Sequence, residues 1–200
     1  MLISFEGIDG CGKSTQIELL KNYLDGIGRT VHIFREPGGT ELSEKVRTLL
    51  LHDSADMDPV TELLLFSAAR SQLISEKVKP LLADGEVVIL DRFFDSTTAY
   101  QGYGRQSVPI DTIHKLNEIA SHSILPNLTF YLKISPSEAA KRTVSQNKDR
   151  MEKAGDHFFE KVDSGYDQLS KSEKRFVTID ATLKAEEIHS LIIQKIKVHL

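Results

Sequence analysis

The chain has 200 residues, 25 Lys+Arg against 29 Asp+Glu, and a net charge of −4. With 40% apolar and 27% charged residues, intrinsic disorder is excluded for the chain as a whole, and the acidic balance excludes coating of nucleic acid through bulk charge. A lone cysteine, Cys11, excludes an intrachain disulfide and points to a reducing compartment.

A chain of this length buries roughly 70% of the surface that its unfolded form exposes, enough for one domain spanning residues 1–200. Met1–Glu6 carries no basic leader, and no run approaches the roughly 20 apolar residues of a spanning helix. The expectation is a cytoplasmic protein with no membrane and no nucleic-acid partner.

In chain order, Leu2–Glu6 is an apolar run that ends in a glycine-rich turn, and predicts a strand. Helical spacing follows over Lys13–Leu24, with Ile17, Leu20 and Leu24 on one face. Val31–Phe34 predicts a second strand, closed by Arg35-Glu36-Pro37-Gly38-Gly39, and Glu41–Leu51 a short helix. Asp58-Pro59 supplies an N-cap and a first-turn proline for a helix that runs to Leu82 and is apolar on more than one side. Glu86–Asp91 lacks alternation, as a central parallel strand covered on both faces should. Leu128–Ile134 is a further strand, and Ser135-Pro136-Ser137-Glu138 opens a helix with a capping box. Phe176–Ile179 is a last strand before an amphipathic closing helix over Glu186–Val198. Strand–helix alternation predicts an α/β fold with a five-stranded parallel sheet between two helical layers. The polar stretch Ser145–Asp156 breaks the alternation and is the candidate lid, about 142–156.

Gly7-Ile8-Asp9-Gly10-Cys11-Gly12-Lys13-Ser14, followed by Thr15, matches G-x-x-x-x-G-K-[ST] between a strand and a helix. Its backbone N–H groups and the helix N-terminus cradle phosphates, Lys13 reaches the β and γ phosphates, and Ser14 can sit on Mg²⁺. The motif points to nucleoside triphosphate binding and does not by itself name the reaction, since switch GTPases, motor ATPases and small-molecule kinases share it. Asn147-Lys148-Asp149 begins like a guanine-reading motif, but Arg150 stands where its acid belongs, so a switch GTPase is not expected.

Asp91-Arg92 and Arg35 lie at the carboxyl ends of two predicted strands, where ligands of open α/β sheets bind. An acid there can hold Mg²⁺, and two arginines can hold a second phosphate. Simple capping of the strands would use the same residues. Arg142, Lys148 and Arg150 around the polar stretch fit a solvated surface as well as an anion site. Together these charges point to a kinase whose acceptor is itself anionic.

Five separated motifs carry a resemblance. They are Phe5–Thr15; Arg35-Glu36-Pro37-Gly38-Gly39-Thr40; Phe66-Ser67-Ala68-Ala69-Arg70; Asp91-Arg92-Phe93 with Ser96-Thr97-Thr98-Ala99-Tyr100-Gln101-Gly102; and Asp149-Arg150-Met151-Glu152. In that order the chain resembles the thymidylate kinase family, which transfers the ATP γ-phosphoryl group to dTMP. The resemblance implies that Phe66 stacks on thymine, that Arg70 and Gln101 read its polar edge, and that Ser96 or Thr97 lies near base and sugar. It implies that Tyr100 crowds the 2′ position and that Arg35 and Arg92 hold the dTMP phosphate. Asp9 would hold the sugar side or position Arg92, and Asp91 would organise Mg²⁺ with Ser14. Lys13 and Arg150 would stabilise the transferring phosphoryl group, and Arg142 would lie against adenine. The loop has no basic residue at Gly10 or Cys11, so the chain resembles the lid-arginine type common in bacteria; Phe93 stands where many members carry Tyr or His. The region of Asp58–Leu82 is similar to the family's dimer-forming helix, which implies a homodimer.

Overall fold

The computed structural model describes residues 1–52, 56–143, 150–151 and 153–199. Residues 144–149 and 152 of the candidate lid, among them Lys148, Asp149 and Glu152, lie outside the described residues.

The strands are β1 (Leu2–Glu6), β2 (Val31–Arg35), β3 (Val87–Asp91), β4 (Leu128–Lys133) and β5 (Phe176–Asp180). All pair in parallel, in the order β2-β3-β1-β4-β5, as the expected α/β architecture requires. β1 is central and buried at every residue, which explains why Leu2, Ile3 and Phe5 are apolar without regard to face, while Ser4 and Glu6 are buried polar residues within it.

The helices are α1 (Lys13–Gly26), α2 (Glu41–His52), α3 (Pro59–Leu73), α4 (Lys79–Ala83), α5 (Phe94–Thr97), α6 (Ile110–Ala120), α7 (Pro136–Arg142), α8 (Asp156–Ser172) and α9 (Ala185–Ile196). Asp58 caps α3 through Val60 and Thr61 N–H groups, and Ser135 caps α7 through Glu138 N–H. Both helices start where the sequence signals place them, but Glu138 turns to Lys141 at 3.0 Å, so among the described residues only the Ser135 half of the expected capping box is formed.

The helix expected over Asp58–Leu82 is instead α3 and α4 joined by a π-helical turn, Ile74–Val78. Pro80 then falls in the first turn of α4, where its missing N–H is harmless. A second π-helical turn, Thr98–Gly104, extends α5 and carries Tyr100 and Gln101 inward.

Three helices escaped the sequence pattern: α5 with its π turn, α6, and α8. Helix α8 begins at Asp156, the last residue of the polar stretch, and buries Phe158, Val162, Gly165, Tyr166 and Leu169. It packs against the second π turn, where Gly165 is so close to Tyr103 that a Cβ would lie 2.7 Å from the ring. That packing brings Tyr166 to the carboxyl end of β1.

Candidate active site

The register aligns Phe5 and Arg35 with Asp91, so β1, β2 and β3 end level and release Glu6-Gly7, Glu36 and Arg92 on one edge of the sheet. The phosphate loop leaves β1 there. A Cβ on Gly7 would stand 2.7 Å from the Leu132 carbonyl oxygen, so only glycine lets the loop cross β4 so closely. Lys13 donates to the Gly7 carbonyl at 3.1 Å and lies 3.8 Å from Asp9 Oδ1, with its ammonium folded into the loop. Ile8 and Cys11 are buried beneath the loop.

A cavity of about 390 Å³ opens over this loop, lined by Gly10, Gly12, Lys13, Ser14 and Thr15 together with Arg35, Asp91 and Arg142. Asp91 Oδ1 is buried with no hydrogen-bond partner among the described residues. An orphaned carboxylate oxygen in the same cavity as a Ser14 hydroxyl fits a divalent cation. Arg142 donates to the Ala181 carbonyl at 3.0 Å. Arg35 is exposed and pairs with Glu44 at 2.8 Å.

Arg92 holds the centre. Its φ of 69° is left-handed, an arrangement that costs a non-glycine residue roughly 1–3 kcal/mol and clusters at functional sites. The guanidinium donates to Asp9 Oδ1 at 2.8 Å and lies 5.1 Å from the Tyr100 ring centroid. Burial would raise Asp9, but the Arg92 and Lys13 charges outweigh it and hold the carboxyl at about 2. Arg92 is itself held more firmly protonated: Asp9 outweighs the opposing effect of burial.

A second cavity, of about 250 Å³, adjoins the first and is lined by Phe66, Arg70, Phe93, Ser96, Thr97, Tyr100, Gln101 and Met151. Asp9, Glu36, Arg47 and Arg92 line both cavities and form the wall between them. The motif residues of α3 and the second π turn therefore do meet. Thr97 Oγ1 and the Tyr100 hydroxyl are buried without partners among the described residues, and burial raises the Tyr100 phenol.

Arg70 and Gln101 are not loose side chains waiting for a base. Arg70 is buried and donates to Glu36 Oε2 at 2.7 Å, and Gln101 donates to buried Glu62 at 2.8 Å. Burial raises Glu36 despite Arg70. Arg150 is not brought to the phosphate loop. It pairs with Glu62 at 2.6 Å and donates to the Leu50 carbonyl at 2.8 Å, beside Met57 and Met151.

A sequence model of the thymidylate kinase family matches residues 5–192. The chain belongs to the thymidylate kinase family. The thymidylate kinase of Chlorobium luteolum is 49% identical over 97% of this chain and 95% of its own. That of Thermoanaerobacter sp. is 46% identical over 99% and 98%. The crystal structure of thymidylate kinase from Ehrlichia chaffeensis superposes with a TM-score of 0.80 at 36% identity, covering 98% of both chains, and shares the P-loop α/β fold.

This thymidylate kinase family member is an ATP-dependent nucleoside monophosphate kinase. Sequence reasoning missed several residues of its site. Arg47, on α2, lines both cavities and donates to the Pro37 carbonyl at 2.9 Å. Glu36 and Glu62 hold the two groups assigned to the base edge. Glu6, fully buried at the end of β1, accepts from Phe93 N–H at 2.8 Å, Ser96 at 2.6 Å and Tyr166 at 3.0 Å. Burial, then Asp95, pushes Glu6 up to about 7. A charged residue inside an apolar strand was the available signal for Glu6. Tyr166 gave none, because its helix was not foreseen.

Proposed function

We propose that the chain transfers the γ-phosphoryl group of ATP to dTMP, giving dTDP and ADP, in the supply of dTTP. One observation carries this reading: two cavities share a wall of Asp9, Glu36, Arg47 and Arg92, and one of them lies over a phosphate loop. Two nucleotides seated there meet phosphate to phosphate.

The triphosphate lies over Gly7–Thr15, with adenine toward Arg142. Lys13 turns from the Gly7 carbonyl to the β and γ phosphates. Ser14 and Asp91 would hold Mg²⁺, which when bound neutralises phosphate charge. Arg35 and Arg92 grip the acceptor phosphate, with Asp9 fixing Arg92 in place. Phe66 stacks on thymine, and Arg70 and Gln101, set by Glu36 and Glu62, read its edge beside Ser96 and Thr97. Tyr100 fills the space that a 2′-hydroxyl would need. Arg150 serves the transferring phosphoryl group, a role in which it exchanges Glu62 for phosphate oxygens. A phosphate monoester loses its second proton near pH 6, so the acceptor needs no strong general base.

The 200 residues act as one kinase domain in the cytoplasm, where the free Cys11 stays reduced. Among the described residues no helix is long and apolar enough to cross a membrane. Leu42, Leu49, Leu64 and Ile119 are exposed on α2, α3 and α6, helices that pack in sequence across one face, and this face supports a homodimer.

The test is ADP release against a panel of acceptors: dTMP, dUMP, dCMP, AMP and thymidine. Turnover led by dTMP supports the reading. Equal turnover with thymidine would remove the acceptor-phosphate site, and turnover led by AMP or dCMP would remove the thymine assignment.

A further inference from the structure

We propose that Glu6 and Tyr166 are positioning residues for the acceptor phosphate, acting through Arg92. Neither touches substrate in this assignment. It rests on the reading of dTMP as acceptor.

Arg92 must keep a left-handed backbone, and its side chain must point at the wall between the cavities. Glu6 controls both. Its Oε1 accepts Phe93 N–H at 2.8 Å, which pins the peptide immediately after Arg92, while Arg92 N–H donates to the Phe5 carbonyl at 3.0 Å. Its Oε2 accepts from Ser96 at 2.6 Å and Tyr166 at 3.0 Å, and the two hydroxyl oxygens lie 2.8 Å apart. Arg92 Nη1 in turn donates to Ser96 Oγ at 3.2 Å and to the Tyr166 hydroxyl at 3.5 Å.

A guanidinium only donates and an ionised carboxylate only accepts, so the hydroxyls between them must pass their protons toward Glu6 and present lone pairs to Arg92. Asp9 holds Nη2 from the other side at 2.8 Å. The guanidinium is thereby fixed in plane, with no rotation left to lose when a phosphate arrives. Tyr166 supplies this from α8, and its ring is held independently by stacking on Tyr131 at 5.0 Å.

Tyr166→Phe removes one oxygen and leaves that stack in place. At about pH 8, where Glu6 is ionised, the Kd for dTMP and for thymidine is measured by calorimetry, alongside KM for dTMP and for ATP. The expected result is that dTMP binds about tenfold more weakly, as for loss of a hydrogen bond to a charged group. Thymidine affinity and KM for ATP stay at wild-type values. Glu6→Gln, whose amide N–H would force the hydroxyls to reverse, gives the same selective loss.

Equal weakening of dTMP and thymidine, or unchanged dTMP binding in both variants, would overturn the positioning role. A wild-type protein that fails to bind dTMP would instead overturn the acceptor assignment beneath it.

Discussion

Arg150 is bound to Glu62. The guanidinium lies 2.6 Å from a carboxylate that is 1% exposed, and the same carboxylate receives Gln101 and Arg105. Three donors, two from the second π turn and its C-cap and one from Arg150, thus meet on one buried acid in the first turn of α3. Replacing it by Glu62→Gln leaves those donors competing for one neutral oxygen. The expected loss is roughly 1–3 kcal/mol, seen as a lower urea midpoint. An unchanged midpoint would show that the cluster contributes no stability.

Arg150→Ala separates two roles. Glu62 keeps Gln101 and Arg105, so the thermal midpoint should stay close to wild type. If Arg150 also serves the transferring phosphoryl group, kcat falls by about 10²–10³, the scale for losing one donor to transition-state charge. Wild-type turnover would confine Arg150 to its pairing with Glu62.

Tyr100 is 7% exposed, its ring beneath Arg92 and edge-on to Phe158, Phe159 and Tyr166. Tyr100→Ala opens space against the sugar. The ratio of kcat/KM for dTMP over its ribonucleotide counterpart should drop by about tenfold or more. A constant ratio would sink the assignment of Tyr100 to the 2′ position.

How much of this was legible in the sequence depended on where the chemistry sits. The phosphate loop and the Asp91-Arg92 pair were readable because a strand end and a fixed spacing are local features. Phe66, Tyr100 and Gln101 look like core or surface on spacing alone, and only the resemblance singled them out. Tyr166 and Glu62 act through contacts with residues 70 and 39 positions away, which no local pattern encodes. The π turn at Ile74–Val78 was hidden for a different reason: the segment is apolar on more than one side, so the register shift of a wider turn leaves no visible break in the pattern.

Glu6 gives a pH signature. Burial and Asp95 raise it from 4.5 to about 7 in the folded chain, against the pull of Ser96, Arg92 and the Phe93 N–H. The folded state therefore binds the proton more tightly than the unfolded one. Its contribution is fully present below pH 4.5 and is lost as pH rises through about 7. Thermal midpoints compared across that window should show wild type losing ground to Glu6→Gln as pH rises, by an amount of the order of 3 kcal/mol. Parallel curves would contradict the raised Glu6.

The most direct measurement follows the phosphoryl group itself. γ-Labelled ATP is incubated with Mg²⁺, dTMP and either wild-type protein or Lys13→Ala, and the products are separated. Label should appear in dTDP with the wild type and fall by about 10²–10³ with the variant. Label released only as inorganic phosphate, or dTDP formed equally by both proteins, would contradict transfer to dTMP at this phosphate loop.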